Sequence, residues 1–260
     1  MMKRNLLNTL VLAALAVPGV AMAADVETTE HKEGKHVIPA SAHTVTSNVG
    51  LVSNYLYRGI TQTGGKAAIQ GGFDYAHSSG LYVGAWGSSI SWLADGGYYN
   101  SSSLELDTYA GFKGGITEDV TYDVGFLRYN YPGEYVAPQI TANTNELYGA
   151  IGWKWLTAKY SRAMTNLFGV ADSSGSSYLD LSGSYTLEGP GVTLGAHYGK
   201  QTINGAANVG WGYSDYKLSA SKDFSGFGLG LAYSSTNVDK TLWGDKLGKS
   251  TVVLSLSHSM

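Results

Sequence analysis

The chain has 260 residues, with 35 Gly, 19 Tyr, no Cys and only 14% charged residues. A net charge of −3 offers no basic excess for nucleic acid, and the lack of cysteine excludes disulfides, cysteine-ligated zinc and a thiol nucleophile. Low charge beside 43% hydrophobic residues excludes a disordered chain, and the abundance of glycine and tyrosine suits many short strands rather than long helices.

At the N-terminus Lys3 and Arg4 precede a mostly apolar run from Leu6 to Val20, followed by Ala21-Met22-Ala23. Charge, apolar stretch and small residues in that order predict a secretory signal peptide over 1–23. The run is shorter than the roughly 20 residues of a spanning helix, and no second one follows. Residues 24–43 are polar and aperiodic and are expected to form a mobile extension. They hold His31, His36, His43, Glu27, Glu30 and Glu33, but the spacing fits no metal site, so neither metal nor other cofactor is predicted.

From Val45 onward the chain alternates with period 2, the mark of strands with two unlike faces. Leu104, Leu106, Thr108, Ala110 and Phe112 fall on one face, and Glu105, Asp107, Tyr109, Gly111 and Lys113 on the other. Strands are predicted at 45–58, 67–77, 80–92, 102–114, 119–131, 145–155, 156–164, 177–187, 190–200, 212–223, 226–236 and 249–260. Most are long enough to cross a bilayer when tilted, which takes about 9–11 residues. Tight turns at His77–Gly80, Gly115–Glu118, Glu188–Gly191 and Asp223–Gly226 alternate with longer loops at 59–66, 93–101, 132–144, 165–176, 201–211 and 237–248. This short–long alternation predicts an all-β, antiparallel, up-and-down transmembrane β-barrel over 44–260, with short periplasmic turns and both termini in the periplasm. The count is about 12 strands. Trp155-Leu156 carries no turn residue, and a different reading of 145–164 would make it 10 or 14.

The apolar face must meet lipid, because a Lys or Arg near the bilayer midplane costs about 2–4 kcal/mol. The lumen then receives Asn54, Lys113, Asp180, Asp215 and Lys217, together with the predicted pore-lining set Arg58, Asp74, Glu105, Asp107, Asp123, Glu146 and Lys154. Mixed lumenal charges set pore selectivity, here with an acidic excess that favours cations weakly. Arg128 falls on the lipid phase near the outer end of its strand, so it snorkels or a bulge shifts the phase. Aromatics such as Tyr55, Tyr57, Trp92, Tyr129, Tyr131, Trp153 and Trp155 gather near strand ends, as interfacial girdles do.

The stretch Ser53-Asn54-Tyr55-Leu56-Tyr57-Arg58-Gly59-Ile60-Thr61-Gln62-Thr63 resembles the opening motif of the TorF-family porins, the Gcw_chp family of proteobacterial outer-membrane proteins. Gln70–His77, Ser79–Ser88, Glu105-Leu106-Asp107, Tyr129–Gly133, Glu146-Leu147-Tyr148 and Ser214–Lys217 extend the resemblance over nearly the whole mature chain. It departs in Asn54, where many relatives carry Asp, and in Met260, where barrels usually end in an aromatic. The resemblance implies an outer-membrane porin and names no substrate. The alternation Val252, Leu254, Leu256, His258 looks like a signal for the barrel-assembly machinery, read from the C-terminal strand.

His77-Ser78-Ser79 has the spacing of a hydrolytic His–Ser pair, but it falls in a periplasmic turn with no third group to orient the imidazole, and no enzyme is predicted. His197 faces the lumen by phase. The glycines at 226, 228 and 230 lack the βαβ context of a dinucleotide site. The expected function is a passive or weakly selective channel for small polar solutes, seated among outer-membrane lipid and lipopolysaccharide. The alternative is a non-conducting structural barrel whose outer loops bind a partner. The oligomeric state is left open.

Overall fold

The computed structural model describes residues 41–260. The predicted signal peptide, and the extension up to residue 40, lie outside the described residues.

Twelve strands close one antiparallel barrel. They are β1 (His43–Val52), β2 (Ala68–His77), β3 (Leu81–Ser89), β4 (Leu104–Gly115), β5 (Val120–Asn130) and β6 (Thr144–Trp153), then β7 (Leu156–Ala163), β8 (Ser177–Leu187), β9 (Val192–Thr202), β10 (Tyr213–Phe224), β11 (Phe227–Thr236) and β12 (Thr251–Ser259). Each pairs with its neighbours in sequence, and β1 meets β12 at the seam, where Leu51 lies opposite Leu256. Closure leaves no open sheet edge, so the backbone can tolerate hydrocarbon outside.

The count is the predicted twelve. The break at 154–155 is a two-residue turn, with Trp153 paired to Leu156 and Lys154 at φ +52°. A lysine rarely adopts that conformation. The adjoining turn supports it: Lys154 N–H donates to the Asp119 carbonyl at 2.9 Å, and its ammonium lies 3.7 Å from the Asp119 carboxylate. The support comes from another strand pair, which is why no local turn residue marks the place.

Along β4 the exposed Leu104, Leu106 and Phe112 alternate with the buried Glu105, Asp107 and Tyr109. The other strands follow the same rule, with Ile69, Phe73, Leu181, Leu218, Leu231 and Leu254 pointing out. A surface that exposes its large apolar side chains and buries its acids is the inverse of a water-soluble barrel, and matches one bathed in lipid. No described helix is long and apolar enough to cross a membrane. Arg128 is exposed at the outer end of β5, donates to Asn145 at 3.3 Å, and sits in an unbroken β4–β5 register. Simple phase places it on the lipid side, and no bulge intervenes.

Leu218 lies mid-strand in β10 and is 63% exposed. Leu218→Arg is expected to lower the folding stability in lipid vesicles by about 2–4 kcal/mol. A urea titration followed by the heat-modifiable gel shift reads that loss, and an unchanged midpoint would place Leu218 off the lipid face.

Candidate functional site: the closed lumen

β1 ends at Val52, six residues before its predicted limit, because residues 53–67 leave the wall and turn into the barrel. There Leu56–Tyr57 pairs with Ile60–Thr61 in a small hairpin whose tip is Arg58-Gly59. Asn54 braces its base: its Oδ1 accepts from the Thr61 hydroxyl at 2.6 Å and the Thr63 hydroxyl at 3.2 Å. A carboxylate oxygen could accept the same bonds. Two other loops strap the hairpin down. The Gln62 carbonyl accepts from the Ser91 and Trp92 N–H groups at 2.8 and 3.1 Å, and Thr61 N–H donates to the Leu247 carbonyl at 3.1 Å.

The tip carries the main contact. Arg58 donates through Nη2 to both Glu146 oxygens, at 3.0 and 2.8 Å, and through Nη1 to Gln201 Oε1 at 2.8 Å. Its guanidinium also lies 4.8 Å from the Tyr57 ring centre and 4.3 Å from that of Tyr178. Both Glu146 oxygens take charge-assisted bonds from the one Nη2, and both side chains are buried.

Above the tip, Tyr57, Tyr129, Tyr131 and Phe168 meet edge to face, and Trp92 closes on Tyr131 at 5.7 Å. Phe168 comes from the 164–176 loop with φ +48°. These rings form one buried aromatic cluster at the long-loop end of the barrel. Tyr55, Tyr57, Tyr129 and Tyr131 therefore belong to the interior rather than to the predicted girdle, because the inward hairpin gives them an apolar surface to pack on. Trp153 and Trp155 remain outside, each 52% exposed at the short-turn end.

Below the tip lies a cavity of about 80 Å³, room for a few water molecules, bordered by Arg58, Lys159, Asp180, His197, Asp215 and Lys217. His197 Nε2 is 3.0 Å from Asp215 and its Nδ1 is 3.4 Å from Asp180, while the Tyr178 hydroxyl donates to Asp215 at 2.8 Å. Lys159 Nζ sits 3.9 Å from the Tyr148 ring centre. Nearer the short turns, Asp74 accepts from Tyr109 and Asp123 from Tyr82, each at 2.6 Å.

Of the predicted set, the structure brings Arg58 and Glu146 together and places Asp74, Asp123, Glu105 and Asp107 on the inner wall. Glu105 and Asp107 are sealed behind Tyr55, at 1% and 0% exposure. Lys154 is not on the wall. It occupies the β6–β7 turn, half-exposed beside Asp119, since its strand ends one residue earlier than predicted phase required. Lys159, Tyr178 and Gln201 were missed, although the alternation of their strands turns all three inward. Phe168 had no local signal at all. His77 Nδ1 and the Ser79 hydroxyl are 2.8 Å apart in the exposed β2–β3 turn, a contact between residues two apart in the chain.

No curated protein matches the sequence. Among solved structures, the chain is similar to Pseudomonas aeruginosa OprD at 15% identity, covering 83% of this chain and 66% of that one with a TM-score of 0.40. For P. aeruginosa OccK5 (OpdH) the values are 13%, 84%, 67% and 0.43, and for Acinetobacter baumannii OccAB2 they are 9%, 85%, 65% and 0.45. The chain spans just under two thirds of the length of OprD and OccAB2. The family model described as a bacterial protein of unknown function (Gcw_chp) matches residues 36–260, which include every strand of the barrel, and the chain belongs to that family.

Proposed function

We propose that this protein is an outer-membrane channel for small polar solutes, as its resemblance to the TorF-family porins implies, held shut by the hairpin over 53–67. One observation carries the reading: the seal is a loop latched onto the wall by Arg58 and Glu146, with a charged cavity beneath it. A barrel that merely stiffens a membrane could fill its lumen from the wall itself, as small barrels do. Here the wall leaves polar space and a separate segment closes it. In this reading the chain is exported with a cleaved leader and inserted by the barrel-assembly machinery from its C-terminal strand. Lipid and lipopolysaccharide surround the apolar face.

Ions passing the open lumen meet Asp123, Lys159, Asp180 and Lys217, and also Glu105 and Asp107 once the segment carrying Tyr55 withdraws. Lys217→Glu is therefore expected to shift the reversal potential toward cation preference, and Lys154→Glu to leave it unchanged. The measurement is single-channel recording from the refolded chain lacking residues 1–23, under a salt gradient. A folded barrel that never conducts would sink the channel and favour the second reading, a surface barrel whose outer loops dock a partner. That reading draws on the aromatic packing at the long-loop end.

A further inference from the structure

Strands β7 to β11 surround the cavity below the hairpin tip with side chains that can donate hydrogen bonds and find no taker. β7 supplies Lys159 and Ser161, β10 supplies Lys217, and β11 supplies Ser234 directly opposite Lys217. All four line the cavity. Ser161 and Ser234 are each only 4% exposed, yet neither hydroxyl makes a hydrogen bond among the described residues. Lys217 forms no ion pair or hydrogen bond among them, and the only partner of Lys159 there is the Tyr148 ring, whose centre is 3.9 Å from its ammonium.

The acids between these donors are already engaged. Asp180 accepts from the Ser182 hydroxyl at 2.7 Å and lies 3.4 Å from His197 Nδ1. Asp215 accepts from the Tyr178 hydroxyl at 2.8 Å and lies 3.0 Å from His197 Nε2. Each ring nitrogen of His197 thus faces a carboxylate, which takes an N–H at both and gives the ring a positive charge. Arg58 cancels Glu146, and His197 with one lysine cancels Asp180 and Asp215. One positive charge is left on the cavity wall. Asp123, the next acid toward the short turns, does not line the cavity and holds the Tyr82 hydroxyl. A charge withdrawn from bulk water calls for a counter-charge. Water in the cavity must donate as well as accept, whereas an anion only accepts and also answers the charge. A volume of about 80 Å³ admits an ion of one to a few heavy atoms, and a single excess charge favours a monoanion over a dianion.

We propose that this cavity binds one small monovalent anion of the halide class, held by the Lys159 and Lys217 ammonium groups, with the Ser161 and Ser234 hydroxyls completing its shell. The ion sits beneath Arg58 and Gly59, which border the same cavity at the hairpin tip. The site rests on the cavity and its donors and not on conduction through the barrel.

The test melts the refolded chain in detergent while sodium bromide replaces sodium gluconate at constant ionic strength, gluconate being too large for the cavity. Crystals grown in bromide locate the ion by its anomalous scattering. The wild type should melt higher as bromide rises, with a shift that saturates, as binding to one site does and a general salt effect does not. One bromide peak should lie between Lys159 and Lys217. Lys217→Gln should raise the bromide concentration for half the shift about ten-fold, and Lys159→Gln/Lys217→Gln should abolish both shift and peak. Should the lysine variants fail to fold, Ser234→Ala keeps every charge and should weaken the same shift a few-fold. Equal melting in the two salts, or bromide found only elsewhere, would overturn the site and leave the cavity to water. A saturating shift that survives in Lys159→Gln/Lys217→Gln, or in Ser234→Ala at full strength, would overturn the assignment of the donors. Binding is read without conductance, so a barrel that never conducts leaves this result standing, and a conducting barrel without the bromide peak loses the site alone.

Discussion

On the channel reading proposed above, Arg58→Ala is expected to raise the ratio of open to closed barrels by about two to three and a half orders of magnitude. The residue makes two hydrogen bonds to Glu146 and one to Gln201, and Glu146 is only 2% exposed. Removing one partner of a buried pair costs about 3–5 kcal/mol, because the remaining charge is left dry and alone. That cost falls on the closed state, since withdrawing the hairpin lets water reach Glu146. At about 1.4 kcal/mol per factor of ten, the equilibrium moves by the stated amount. Arg58→Lys should fall between the two, because a single ammonium cannot reproduce the planar fork that reaches both partners. Single-channel recording reads the open fraction, and limited proteolysis within 53–67 reports the freed loop. A variant that stays closed, with the loop still protected, would show that the straps to Ser91, Trp92 and Leu247 hold the hairpin without its latch.

Gly59→Val should open the lumen by a different route. Gly59 has φ +76°, a conformation that β-branched residues rarely adopt. A Cβ there would lie 2.5 Å from Thr236 Cγ2 and 2.6 Å from Asp215 Cβ. Asp215 cannot give way cheaply, since Tyr178 and His197 hold its carboxylate. The tip therefore cannot seat, and Arg58 is drawn back from Glu146 although its side chain is intact. Because both substitutions undo one contact, the Arg58→Ala/Gly59→Val pair should open the channel little further than either alone. Additive effects would mean that Gly59 acts away from the latch. The wall strands lie outside this contact, so all three variants should keep the heat-modifiable mobility of a folded barrel.

The barrel itself was legible in the sequence. Strand number and the assignment of faces rest on period-2 alternation and on turn spacing, which are local properties that a lipid exterior enforces at every position. The inward acids Asp74, Glu105, Asp107, Asp123 and Glu146 followed from that alternation alone. Lys154 failed because its strand ends at Trp153, and the positive φ that ends it is supported by Asp119 of another turn. The hairpin failed for a related reason. Its residues alternate like a strand, and nothing local distinguishes a strand that continues in the wall from one that folds into the lumen. That choice depends on Glu146 and Gln201, 88 and 143 residues away from Arg58, and on Phe168 arriving from a third loop. The sequence by itself determined a membrane barrel of about twelve strands with a charged interior, because backbone pairing and lipid exposure act residue by residue. Only the tertiary structure decided that a hairpin occupies the interior and which charges are paired, because both depend on groups that meet once the barrel has closed.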